Sequence, residues 1–168
     1  MAFFLWTAAS VGILTINNLV KKNLPLVNWC CLCRCEEETV DHLLIHCNYA
    51  HTLWSEVLRL FGVQWVMPKN VVSLLFAWWN WLGRHTSNVW NMVPACLMWL
   101  IWKEHNAWIF EETERLVDCV KFLLLRTLFE WCRIWGFTYC HSLFDFLNFV
   151  SLSFWLVCIL FSVVSLLS

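Results

Sequence analysis

Four residues early in this chain restrict its fold more than any other feature: Cys30, Cys33, His42 and Cys47, spaced Cys-x2-Cys-x8-His-x4-Cys. Thiolate and imidazole are donors that suit a tetrahedral zinc ion without redox chemistry. A Cys-x-x-Cys pair turns both sulfurs toward one point on a tight knuckle. The next eight residues bring the chain back, and His42 and Cys47 close the site from the first turns of a helix. The spacing therefore predicts Zn2+ held by Cys30, Cys33, His42 and Cys47. Four protein ligands leave no open position, so the site is expected to be structural. Cys31 and Cys35 are alternative thiolates, and His46 stands one helical turn after His42. Adjacent His46 and Cys47 cannot easily reach the same ion.

Cysteine count alone would also allow a disulfide scaffold. Five of the ten cysteines fall between residues 30 and 47, while Cys96, Cys119, Cys132, Cys140 and Cys158 are scattered through apolar segments. Free cysteine in such segments behaves as a small hydrophobe. The N-terminus lacks the basic region and the longer apolar run of a secretory signal. A reducing, intracellular location is expected.

The rest of the chain is unusually apolar. Hydrophobic residues make up 61% and charged residues 14% of the 168 positions, against roughly 45–50% and about 25% in soluble domains. That excludes a disordered chain and predicts surface for a partner, a parent polypeptide or a membrane to cover. The net charge of −1 argues against strong nucleic-acid binding by this chain alone, because such domains carry a basic face.

Periodicity predicts a mainly α fold: a small zinc module over residues 1–62, a helical bundle over 63–140, and an apolar helix over 141–168. Thr15 caps a short helix that carries Lys21 and Lys22 near its end and stops at Pro25. The acidic run Glu36 to Glu38 opens a helix that reaches Phe61, with Gly62 as its stop and a break near Cys47 to Tyr49 left open. Three more helices are expected: one over 70–82, one from Ser87 or Asn88 to Phe110 despite Pro94, and one capped by Thr113 that ends before Gly136. Residues 146–168 contain no charged residue. As a helix they would extend about 34 Å, enough to cross a membrane.

Enzyme sites are not legible. No two aspartates are adjacent, as a polymerase metal site would need, and the acidic residues at 36–38 and 111–114 read as charges that open helices. There is no phosphate-binding glycine loop and no Gly-x-Ser-x-Gly elbow. His51, His85, His105 and His141 have no ligand neighbours in sequence and read as surface or interface histidines.

The run Phe3 to Trp6, Leu14-Thr15, Leu19, Cys30 to Cys33, Glu37 to Cys47, Ala50 and Trp54 resembles the zinc-binding domain that follows the reverse transcriptase in plant non-LTR retrotransposons. The stretches at Phe61 to Val63 and Trp99 to Asn106 look like the tail of the same polyproteins. The family's ligand pattern falls on Cys30, Cys33, His42 and Cys47. The resemblance implies a non-enzymatic module for nucleic-acid handling within a longer polyprotein, and it does not cover the apolar tail. Two other readings stand beside it: a protein anchored in a membrane by residues 146–168, and a retroelement relic translated from a degenerate copy.

Overall fold

A computed structural model of the chain describes residues 2–81 and 88–151. Its helices are α1 (Ala2–Ala9), α2 (Ile16–Val20), α3 (Asn48–Leu60), α4 (Val71–Trp81), α5 (Asn88–Glu111) and α6 (Val117–Ile134), with a single π-helical turn at His42–His46 just before α3. Residues 143–151 are again helical, and there is no β-strand among the described residues. The mainly α expectation is met.

Helix ends follow local chemistry. The Thr15 hydroxyl accepts from the Asn18 N–H at the start of α2. That helix ends well before Pro25, because Asn23 turns left-handed at φ 64° and Leu24 N–H returns to the Leu19 carbonyl. Gly62, at φ 64°, lets Val63 N–H reach back to the Leu58 carbonyl at 2.8 Å and so terminates α3. Asn70 caps α4 by accepting from Ser73 N–H at 2.8 Å. Thr113, expected as a cap, instead donates to the Glu111 carbonyl, and α6 begins only at Val117. The residues at 111–114 therefore close α5 and turn away from it, with Glu112 left-handed at φ 50°; they do not open a helix.

Helices α5 and α6 form the largest pairing, and α3 and the π-turn pack against α5. One apolar core runs from Ala8 to Val150. At its centre Trp78 stacks on Trp90 at 3.9 Å, and Phe61 meets Trp90 edge-on at 5.1 Å. This stack also explains how α5 tolerates Pro94. Proline cannot donate to the carbonyl four residues back, which belongs to Trp90. Trp78 Nε1–H donates to that carbonyl instead, at 3.0 Å.

The expected apolar C-terminal helix begins inside the bundle. Phe146 and Val150 are buried, and Phe146 lies 5.3 Å from the Phe129 ring. Residues 152–168 lie outside the described residues, as does His85. No helix among the described residues is long and apolar enough to cross a membrane.

Candidate metal centre

The knuckle at Cys30 to Glu36 closes through two backbone bonds, Arg34 N–H to the Cys30 carbonyl and Cys30 N–H to the Glu36 carbonyl, both 2.8 Å. Arg34 sits left-handed at φ 56° to make the turn. Its guanidinium covers the Trp108 ring at 5.3 Å and lies 3.8 Å from Glu114. Across from the knuckle, Thr39 starts the return helix by accepting from His42 N–H at 3.0 Å.

The π-turn accounts for the four-residue gap between His42 and Cys47. Five residues along an α-helix leave two side chains about 140° apart. In a π-turn the bond closes five residues back, and Cys47 N–H reaches the His42 carbonyl at 2.6 Å. Both side chains can then face the knuckle.

The structure brings all four expected residues together. One donor atom each from Cys30, Cys33, His42 and Cys47 lies within 4.8 Å of the others. Cys30 Sγ and Cys47 Sγ are 3.8 Å apart, and Cys33 Sγ is 3.2 Å from His42 Nε2. A disulfide would need about 2.05 Å. A zinc tetrahedron with Zn–S near 2.3 Å has an S···S edge of about 3.8 Å. The donor set fits zinc.

Electrostatics agree with that fit. Cys30 is pushed up by its hydrogen bond with Cys47 and by burial, and burial also raises Cys33. A divalent ion at their centre would reverse these shifts and deprotonate the thiols. Burial lowers the pKa of His42, with Glu36 opposing, which favours the neutral imidazole that a metal requires. Glu36 Oε2 stands 3.1 Å from His42 Nδ1, off the line of a hydrogen bond. A carboxylate behind the free ring nitrogen is the usual way a ligand histidine is oriented.

Residues 1–54 match the family model described as zinc-binding in reverse transcriptase. This segment belongs to that family. The chain is also similar to a protein of Arabidopsis thaliana named Putative ribonuclease H protein, 27% identical over 124 residues. That alignment covers 71% of this chain and 19% of the relative, so the chain spans about a fifth of the relative's length. No solved structure matches.

Around the zinc-binding segment, the alternative ligands stand apart. Cys35 is exposed and donates to the Cys33 carbonyl. His46 points away, with Nε2 3.0 Å from the Lys69 carbonyl. Cys31 is buried beside Glu38 and His105, where burial and the Glu38 charge push its thiol up to about 12.

Sequence reasoning missed Glu38 and His105. His105, read as a surface or interface histidine, is 1% exposed, and Glu38 is fully buried. Glu38 Oε1 lies 2.9 Å from His105 Nε2 and accepts from Ile16 N–H at 2.9 Å. Its Oε2 accepts from Cys31 N–H at 3.4 Å. Burial raises the Glu38 pKa, but His105 and the backbone donors outweigh it, and the net direction is down. A glutamate inside the run Glu36 to Glu38 carries no compositional mark of burial. His105 carries one weak mark, an isolated polar ring in the apolar stretch Trp99 to Ala107.

Proposed function

We propose that Cys30, Cys33, His42 and Cys47 hold one structural zinc ion, and that the module handles nucleic acid for a longer reverse-transcribing polypeptide without catalysing a reaction itself. The observation that carries this reading is the convergence of four donor atoms within 4.8 Å in a segment of a zinc-binding family. Zinc with four protein ligands has no position for a reactive water. The two buried carboxylates, Glu38 and Glu104, are committed to His105 and Arg115, which leaves neither for metal-assisted hydrolysis.

Support for the nucleic-acid role lies beside the knuckle. A cleft of about 360 Å³ is lined by Trp29, Arg34 and Trp108 among others, and Trp29 is 53% exposed. Aromatic and guanidinium faces are the surfaces on which unpaired bases stack. With a net charge of −1, few counterions are released, so binding by this chain alone is weak and salt-sensitive.

Elemental analysis of the purified full chain tests the zinc assignment. One zinc per chain is expected, lost on Cys33→Ser and retained on Cys31→Ser. Equal loss from both would overturn the ligand set. Fluorescence anisotropy with single-stranded RNA tests the second part. Binding weaker than micromolar at physiological salt is expected, and the loss of this weak binding in Trp29→Ala would locate it at the cleft.

A further inference from the structure

The trio Cys31, Glu38 and His105 has donor atoms within 4.8 Å of one another, all buried, and could be taken for a second metal site. The carboxylate argues otherwise. Its two oxygens already serve Ile16 N–H, Cys31 N–H and the His105 ring. It is a satisfied hydrogen-bond hub, and its partners come from three separate places: the start of α2, the knuckle and the middle of α5.

We propose that Glu38 and His105 are positioning residues for the zinc pocket, so that metal retention depends on a helix beyond the matched segment 1–54. This rests on the zinc reading above. Cys31 N–H lies inside the Cys30 to Cys33 knuckle, so the Glu38 carboxylate fixes the peptide that aims both sulfurs. Glu38 also immediately precedes Thr39, whose hydroxyl and carbonyl receive His42 N–H and Leu43 N–H. One residue therefore ties together the two halves of the pocket. Its own placement is set by its backbone, where Glu38 N–H donates to Asn28 Oδ1 at 3.1 Å, and by His105. The His105 ring is in turn held by stacking on Trp102 at 4.9 Å. A second tether runs parallel, from Arg34 of the knuckle to Trp108 one turn along α5.

Partners that orient metal ligands without touching the ion typically contribute roughly 10- to 100-fold in metal affinity. The test compares the full-length wild type with Glu38→Gln, His105→Leu and Leu124→Ala. Leu124 is a buried core residue on α6 and serves as a control for general destabilisation. Zinc affinity is read by competition with a chromogenic chelator, and the ligand set by the absorption spectrum of the cobalt-substituted chain. Glu38→Gln and His105→Leu are expected to bind zinc roughly 10- to 100-fold more weakly. Their cobalt spectra should remain those of three thiolates and one nitrogen. Leu124→Ala should lower the melting temperature with little change in affinity. If Leu124→Ala weakens zinc as much as His105→Leu, the pair acts only through overall stability and the proposal is overturned. Two metal ions per wild-type chain would overturn it in favour of a second site at Cys31, Glu38 and His105. Wild-type affinity in both variants would overturn it while leaving the zinc reading intact, whereas a wild type that takes up no cobalt would overturn both.

Discussion

The segment from Cys30 to Cys47 and the helix pair α5–α6 reach burial by opposite routes. In the first, a few polar atoms do the organising: three thiols, two imidazoles and one carboxylate are placed to within a few tenths of an ångström by backbone bonds. In the second, organisation comes from quantity. Val93, Cys96, Leu97, Leu100 and Ile101 on α5 and Val120, Leu124 and Leu128 on α6 are all buried, and similar apolar residues could exchange there at modest cost. A region specified by chemical type should fail at single atoms, and a region specified by volume should fail in proportion to what is removed.

The sharpest division between the two regions comes from Cys47→Ser. Structural zinc in finger peptides is worth about 10–16 kcal/mol, so loss of one thiolate should empty the site. Hydrogen exchange should then show lost protection around residues 30–47 while α5 and α6 stay protected. Equal loss in both regions would break the comparison, because the chain would then be one cooperative unit.

Next in size is Trp90→Ala, which removes the ring at the centre of the aromatic stack. It is expected to cost about 3–5 kcal/mol in urea unfolding and to leave one zinc per chain. Trp78→Phe is a finer probe, since it keeps most of the volume but removes the N–H that serves the Trp90 carbonyl. A loss of about 1–3 kcal/mol is expected from stranding that carbonyl. A neutral result would mean that α5 satisfies its proline gap some other way.

The smallest effects belong to Cys35→Ser and His46→Ala. Both side chains lie outside the pocket, so stability should stay within about 0.5 kcal/mol and zinc content should not change. A measurable loss of zinc from either would show that the pocket draws on ligands other than the four that converge.

The same division explains what could be read from the sequence. Cys30, Cys33, His42 and Cys47 were legible because the donor types are rare and their spacing is tied to knuckle geometry. The helices were legible from apolar period, and Gly62 from its freedom at positive φ. Thr113 misled because capping chemistry is local, while the turn that closes α5 is set by Glu112 and by the bond from Thr113 N–H to the Ala107 carbonyl at 3.2 Å. Glu38 and His105 were hidden because they are sixty-seven positions apart, and no pattern within one helix or one turn connects them.

The π-turn at His42–His46 gives the pocket a fixed count. Its side chains Leu43, Leu44 and Ile45 are buried apolar residues, and exchanging one for another alters volume alone. Deleting one of them is a different kind of event. The extra residue that widens the turn would vanish, the segment would relax to ordinary α-helical winding, and the angle between His42 and Cys47 would be reset without either being touched. A copy of this gene could thus accumulate many base changes across this stretch and keep its metal. The in-frame loss of a single codon between these two ligands would end binding while every ligand remained in the text.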